Sequence, residues 1–521
     1  MAAPALLLHP IRLSPLEGLM PRAYVRQIYC FPTSNTAAIS TLSRGLVGLA
    51  RDVPYILSRV VPDLPVTGSA VAVGTQCHSP DDTFSWCDLS DSIDYAALKA
   101  GYFPPAAFLT PGIIPPDTAP PYPASPAVFL ARASLAKGGL ILCVAVHHVV
   151  TDITGFGALL KIWASHCRDG SSRDVGFDAS RMDRGPLFSS SGSSSDSPNL
   201  ASMPKLLHVR TPEEHMTRPA GRSQAGQVAG TGQRNYQTGI FYFPHQRLRA
   251  LKDAVNAHIV SQEPGYWVST GDILSSLLWS AILEAEGTSS SLLDTNGVVV
   301  TEKNDTRTST LSFPVQFRSV LRPPLPRDFL GAAFLMANAK VLHGDVCLIS
   351  RSRTNSEPAT QDQESKPVLQ TQTEAEIAVN SVDIPALAKV ALAIRKSTQG
   401  IDDAAVREVL AYLEAHIDIN PEAPIILGPP RIEAGGTAAS VVSWADQHVY
   451  ELEWGDAIGR CDTVRLPKMG YERDPIVLPR VPSLDGDNGG LEVIMSYEEN
   501  AMQSLIESAI MRRFAVLRCL S

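Results

Sequence analysis

The sequence holds no long uninterrupted apolar run. None of its 521 residues lies in a stretch of the ~20 apolar residues that a helix needs to cross a bilayer, so no membrane span is expected. A basic excess is missing too. Forty-four lysines and arginines stand against 53 aspartates and glutamates, a formal net charge of −9. Nucleic-acid binders displace counterions from phosphates with a basic face, so that class is excluded, although a local basic pocket for a phosphorylated cosubstrate remains compatible. The eight cysteines, at 30, 77, 87, 143, 167, 347, 461 and 519, form no CxxC pair, which removes zinc and thioredoxin-like motifs; no metal ligand set is expected. Several lie in apolar runs, as Cys143 does, and read as reduced core residues of an intracellular chain. There is no GxSxG elbow, Walker A loop or HExxH pair. The glycines between Gly221 and Gly232 open no helix, which excludes a dinucleotide loop, and no solenoid repeat is visible. The apolar run Ala2 to Leu8 has no basic leader and is broken by Pro4, with Pro10 just beyond, so it reads as an edge strand and not a signal peptide. The last four residues form no prenylation box. The cytosol is the default compartment.

What is present is a globular pattern. Hydrophobic residues make up 44% of the chain and charged residues 19%, enough for a sizeable core, and the length suggests two large domains. Two segments depart from this. Residues 169–237 contain the serine-rich Ser189 to Ser197 and the glycine-rich Gly221 to Gly232, and read as a long connection. Residues 350–376, rich in Gln, Ser, Thr and Glu, read as a surface insertion. Elsewhere the periodicity is clear. Helices are expected over 41–60, 153–166, 245–257, 270–286, 384–396, 402–415 and 499–514. Strands are expected over 139–147, 240–243, 311–318, 440–444 and 492–497. Strands and helices alternate on both sides of the polar connection, which predicts two α/β lobes.

The continuous apolar, β-branched run Gly139 to His147 reads as a buried strand. It leads into His147-His148-Val149-Val150-Thr151-Asp152 and then a helix. A histidine at the end of a buried strand stands where a cleft can open. A neutral imidazole, titrating near pH 6.5, can take the proton that makes an alcohol a poor nucleophile. A carboxylate four residues later can lock the backbone through a cation, or hold an imidazole directly. A lone HxxxD also arises by chance, and buried histidines often serve only as hydrogen-bonded core residues.

The His147-His148-x-x-x-Asp152 block, with Gly155 behind it, resembles the active-site motif of the HxxxD acyltransferases, the superfamily of BAHD acyltransferases, chloramphenicol acetyltransferase and condensation domains. Phe313-Pro314-Val315-Gln316-Phe317-Arg318 resembles its "VdfR" segment. Arg322-Pro323-Pro324-Leu325-Pro326-Arg327-Asp328-Phe329-Leu330-Gly331 is similar to its "R-x-PPLP-x-x-YFGN" stretch. Ser443-Trp444 followed by Val449 to Ala457 is similar to "SW…vYd-x-DFGWG", although Glu453-Trp454-Gly455-Asp456-Ala457 keeps only the central glycine. Leu13 to Arg22 resembles the opening of fungal, trichothecene acetyltransferase-like members. The resemblance covers nearly the whole chain apart from the two polar segments.

The resemblance implies an α/β fold of two chloramphenicol acetyltransferase-like lobes, each a mixed sheet with helices, joined by a long crossover, with an active-site channel between them. The boundaries expected are 1–185 for the first lobe, 186–238 for the crossover and 239–521 for the second lobe. It implies His148 as general base, Asp152 in a structural role with Arg318 as its partner, and acetyl-CoA as cosubstrate with no permanently bound cofactor. The acceptor would be a hydroxylated secondary metabolite, such as a terpenoid or polyketide, and the protein a monomer. It also implies a donor contact at Ser269, Thr270 and Gly271, where a helix start favours an anion; simple capping reads equally well from these residues. Lys252 is a nearby basic residue. An oxyanion donor is expected near Val442 to Trp444: the Trp444 indole, or the hydroxyl of Ser440 or Ser443. The rival readings are a condensation-type enzyme using carrier-protein thioesters and an inactive paralogue that binds small molecules.

Overall fold

The computed structural model describes residues 11–62, 71–73, 79–119, 123, 125–170, 177–188, 204–209, 235–285, 292–293, 299–300, 307–350, 379–380, 382–416, 425–427, 437–468, 473–482 and 489–521. The apolar run at 2–8 lies outside these, as do most of the serine- and glycine-rich connection and nearly all of the insertion at 350–376.

The first half of the chain gives β1 (Tyr24–Phe31), α1 (Ala37–Asp52), β2 (Phe84–Asp88), β3 (Phe129–Ala136), β4 (Gly139–His147) and α2 (Ile153–Asp169). β4 lies between β1 and β3, antiparallel to both, and every one of its residues is buried. That explains its unbroken apolar sequence: a strand covered on both faces has no polar side to present. Val144 and Val146 face α1 and α2. Ile141 and Cys143 face a second apolar layer that includes Tyr95, Phe103 and Phe108. α1 and α2 bring Leu42, Leu46, Leu49, Phe156, Leu159 and Trp163 into one core, where each large side chain contributes about 1.5–3 kcal/mol by leaving water.

The second half gives β5 (Tyr236–Pro244), α3 (His245–Gln262), α4 (Thr270–Ala285), β6 (Thr308–Gln316), β7 (Phe334–Leu342), α5 (Ile384–Gln399), α6 (Asp403–His416), β8 (Thr437–Ser440), β9 (Val442–Ser443), β10 (Thr463–Arg465), β11 (Arg473–Val477), β12 (Gly490–Glu498), α7 (Glu499–Glu507), α8 (Ala509–Phe514) and β13 (Val516–Leu520). The two larger sheets here are ordered β7-β6-β8 and β9-β11-β12-β5-β13. Helices α4 and α5 pack with them around Trp279, Leu277 and Leu387.

The chain then crosses back. β10 pairs antiparallel with β1 and becomes the edge of the first sheet. Val449, Tyr450, Trp454 and Ile458 join the first core. The Trp454 ring meets Trp163 edge-on at 5.4 Å and Phe31 at 5.9 Å. Conversely, Leu16 and Met20 from the start of the chain pack with Phe317, Phe329 and Leu410 of the second half. These exchanges fall within the ranges 1–185 and 239–521 and cross between their cores.

Three of the expected elements take a different form, and the strands β1, β2, β3, β7, β10, β11 and β13 are not among those expected. α1 stops at Asp52 where a helix to residue 60 is expected, because Pro54 disfavours a helical residue before it. Val53 takes φ −127°, ψ 72°, and Pro54–Leu57 forms a separate 3-10 turn. The strand expected over 440–444 is two strands in two sheets: β8 pairs with β6, and after Val441 the chain enters β9 beside β11. The helix expected over 499–514 breaks at Ser508, which is extended (φ −57°, ψ 146°) and caps α8 by accepting from Met511 N. Apolar periodicity runs through such a break and does not reveal it.

Candidate functional site

β4 ends at His147, and the two histidines part there. The His147 ring is buried and packs edge-on against Tyr24 at 5.2 Å. Burial, with the charges of His148 and Arg22 acting the same way, lowers its pKa to about 4, so it is neutral near pH 7. His148 lies one residue past the strand. Its backbone N–H donates to Ala23 O at 2.8 Å, and its half-buried ring tilts against Phe334 at 6.4 Å. Phe334 opens β7, so His148 stands where the two halves of the chain meet.

Asp152 is the N-cap of α2. Its Oδ1 accepts from Thr154 N at 3.0 Å and from Gly155 N at 2.9 Å, satisfying amides that a helix start leaves without partners. The same carboxylate receives Arg318 in a two-pronged pair, Nη1 to Oδ2 at 2.8 Å and Nη2 to Oδ1 at 2.7 Å, and Ala333 N at 2.9 Å. Arg318 also donates to Phe329 O and Gly331 O. Both side chains are almost wholly buried. Burial pushes the Asp152 carboxyl up, but the Arg318 charge and the hydrogen bonds outweigh it and hold the group below the usual carboxylate range. Asp152 is therefore anionic and fully engaged in structure. It fixes the start of α2 and the 329–333 loop in one position, and with them the loop that carries His148.

A second buried pair lies beside it. Arg184 Nε donates to both oxygens of Glu17 at 3.0 Å, and its Nη2 donates to Val150 O at 3.1 Å. Glu17 also accepts from Ala332 N and Ser14 N. The amides of Ala332 and Ala333 thus go to two different carboxylates, tying residues 14–17, 150–152, 184 and 318–333 into one floor. Gly155 sits where the parts meet: a Cβ there would lie 2.3 Å from Thr151 Oγ1 and 2.6 Å from Leu330 O.

Comparison with known proteins places two family models on the chain. The trichothecene 3-O-acetyltransferase-like N-terminal domain family matches residues 23–167, and the Transferase family matches residues 112–357. Together the two models span residues 23–357, and the relatives that follow are O-acetyltransferases: the chain is an acyltransferase. This acyltransferase is 23% identical to the O-acetyltransferase ptmV of Penicillium ochrochloron, over 96% of each chain. It is 25% identical to the O-acetyltransferase astG of Aspergillus oryzae, covering 90% of this chain and 95% of that one. Its fold matches F. graminearum TRI101 solved with coenzyme A and T-2 mycotoxin, with TM-score 0.67, 18% identity and coverage of 98% and 100%.

The other expected residues of the acyltransferase lie on separate elements. Ser269 caps α4: its N–H and hydroxyl both donate to Asp272 Oδ2, at 2.7 and 2.9 Å, and Asp272 N returns to Ser269 Oγ. Asp272 is held in turn by Arg395 of α5. The capping role of Ser269 is thus visible, while beside it Thr270 is half-buried and Gly271 exposed. Lys252 on α3 lies 3.9 Å from Asp253. Trp444 is buried in a cluster with Ile240, Leu466, Ile476 and Leu478, and Ile153, the first residue of α2, packs against that cluster. No hydrogen bond among the described residues uses its indole N–H. Ser440 is buried at the end of β8. Ser443 is exposed, and its Oγ accepts from Ala445 N at 3.4 Å.

Two contributors escape the motif reading. Glu17 and Arg184 form one, and the capping-box spacing Ser14-x-x-Glu17 is the signal that marks the carboxylate. The other is a clasp of buried amides, in which Gln27 Nε2 donates to Gln447 Oε1 at 2.8 Å and Gln447 Nε2 returns to Gln27 Oε1 at 3.2 Å. It ties the Trp444 loop to β1, and neither glutamine stands in a recognisable pattern. A groove of about 670 Å³ between α3, α5 and β7, lined by Ile259, Lys340 and Leu392 among others, holds none of the expected site residues.

Proposed function

We propose that this acyltransferase moves an acyl group, acetyl first among them, from coenzyme A to a hydroxyl of a small secondary metabolite, with His148 as the base. The observation that carries this reading is the buried Asp152–Arg318 pair, which fixes the loop bearing a half-buried His148 at the junction of the two halves. His148 takes the proton of the acceptor alcohol as its oxygen attacks the thioester carbonyl. The carbonyl becomes an oxyanion, for which the Trp444 N–H is the favoured donor, with Ser440 and Ser443 as the nearby hydroxyls. When the C–S bond breaks, the proton on His148 passes to the leaving thiolate, so CoA departs as a thiol and the imidazole is restored. Asp152 remains with Arg318 throughout. No acyl-enzyme forms, and kinetics are sequential. Phosphate contacts at the Ser269–Gly271 helix start belong to the same proposal. Among the described residues no helix is long and apolar enough to cross a membrane, and the cytosol is the compartment proposed.

The test is incubation of the purified protein with acetyl-CoA and fractionated hydroxylated metabolites, reading thiol release and a product heavier by one acetyl group. Intersecting double-reciprocal lines are expected. Parallel lines, or transfer only from carrier-protein thioesters, contradict the reading.

A further inference from the structure

Three arginines on or beside β1 and β3, Arg22, Arg26 and Arg132, have no anionic partner among the described residues. On β1, Tyr24 stands opposite His147 and Arg26 opposite Ala145. On β3, Arg132 stands opposite Cys143. Side chains alternate between the faces of a strand, so Arg26 and Arg132 share the face of Cys143, Ala145 and His147, away from α1 and α2. The apolar cover of that face, Tyr95, Phe103 and Phe108, reaches Cys143. Arg132 stands level with Cys143, and beyond it, toward His147, the face carries Arg26, the small Ala145 and the half-buried Leu130. Arg22 lies just before β1, and its charge reaches the His147 ring. Arg26 likewise acts on the Cys143 thiol, which burial pushes up to about 12 with Arg26 pulling against it.

Arg26 and Arg132 are half-buried, and Arg132 Nε is enclosed with no hydrogen-bond partner. Among the described residues no ion pair or hydrogen bond engages any of the three guanidinium groups, although the chain as a whole is acidic, with 53 carboxylate residues against 44 cations. The buried carboxylates Asp152 and Glu17 are already committed, to Arg318 and Arg184. A half-buried cation left unneutralised is costly, and a guanidinium fork matches a carboxylate in two-pronged geometry. At ~3.4 Å per residue, Arg26 lies only about 7 Å along the sheet from the level of His147.

We propose that Arg22, Arg26 and Arg132 form an anion-binding subsite for the acceptor, so that the preferred acceptor is a hydroxylated carboxylic acid whose carboxylate docks here while its hydroxyl reaches His148. This rests on the reading of His148 as the base. The short separation favours the acceptor over coenzyme A, because the pantetheine arm carries the phosphates much farther from the thioester.

The experiment measures binding and needs no turnover, so its failure is distinct from a failure of the base assignment. Benzoate, benzamide and coenzyme A are titrated calorimetrically into the wild type, R26Q/R132Q and R26K. Benzoate should bind the wild type saturably and the double variant about tenfold or more weakly, the usual effect of losing charge-assisted hydrogen bonds. R26K should fall between, benzamide should not bind, and the coenzyme A affinity should stay within twofold. Unchanged benzoate affinity in R26Q/R132Q, or no saturable benzoate binding by the wild type, overturns the proposal. A parallel tenfold loss of coenzyme A affinity assigns the arginines to cosubstrate phosphates and overturns it as well. If the double variant does not fold, phenylglyoxal labelling of the wild type decides: benzoate should protect Arg26 and Arg132, and labelling indifferent to benzoate refutes the subsite.

Discussion

Two adjacent histidines of identical chemistry take opposite roles because one peptide unit separates strand from loop. His147 is still within β4, enclosed and neutral, whereas His148 lies at the junction with β7. His148→Ala should lower kcat by about 10²–10⁴-fold with little change in coenzyme A affinity, measured by initial rates and calorimetry. His147→Asn should cost far less, and equal losses would exchange the two roles. His147 also affects stability. Its folded pKa, about 4, lies below its ordinary 6.5, so between these values the unfolded chain binds more protons. The contribution is complete above pH 6.5 and is lost as pH falls toward 4, about 3 kcal/mol in all. Melting temperatures over that range should fall less steeply in His147→Asn than in the wild type; parallel curves would remove this group from the acid response. Asp152→Asn leaves the buried Arg318 without its counterion. A loss of roughly 3–5 kcal/mol is expected in denaturant melts, with a fall in rate. Lost activity with unchanged stability would give Asp152 a direct chemical role.

At the scale of elements, the site depends on how closely α2 approaches the 329–333 loop. Gly155→Ala places a methyl 2.6 Å from Leu330 O, a backbone atom that can yield only by moving the loop. About 1–3 kcal/mol of destabilisation is expected, with a lower kcat because the loop is hydrogen-bonded to Asp152. A variant as stable and active as the wild type would show that the loop has slack. The same elements mark what was legible in the sequence. β4 could be read residue for residue, because a strand buried on both faces leaves an unbroken apolar run. Asp152 and Arg318, 166 residues apart, could be paired only through family resemblance, since nothing local to either names the other. The break at Ser508 and the switch at Val441 left no mark, because both preserve hydrophobicity and differ from a continuous element only in backbone direction. The Gln27–Gln447 clasp was invisible for a related reason: two uncharged amides far apart in the chain become a feature only once both are buried.

The whole molecule is held by exchanges between its two cores. Arg465, at the end of β10 in the first sheet, pairs with Glu492 of β12 at 2.7 Å, and Arg518 of β13 meets the same carboxylate. Burial pushes Glu492 up, yet the two arginines hold it below the ordinary range. Glu492→Gln should remove the counterion from a buried Arg465 and cost roughly 3–5 kcal/mol. Because the contact spans both sheets, a single unfolding transition should shift as a whole in calorimetry. Two separated transitions would mean that the halves do not depend on each other.

The return of β10 to the first sheet also imposes an order on biosynthesis. α2 ends at Asp169 and β10 at Arg465, so about 300 residues leave the ribosome between them, taking roughly 15–60 s at common elongation rates. Throughout that time β1 has a bare edge, and Trp163 lacks the Trp454 ring that covers it in the finished protein. The nascent first half must therefore wait with an exposed strand and an unfilled apolar core, a species for chaperones to shelter, and it is completed only when the last tenth of the chain is being made.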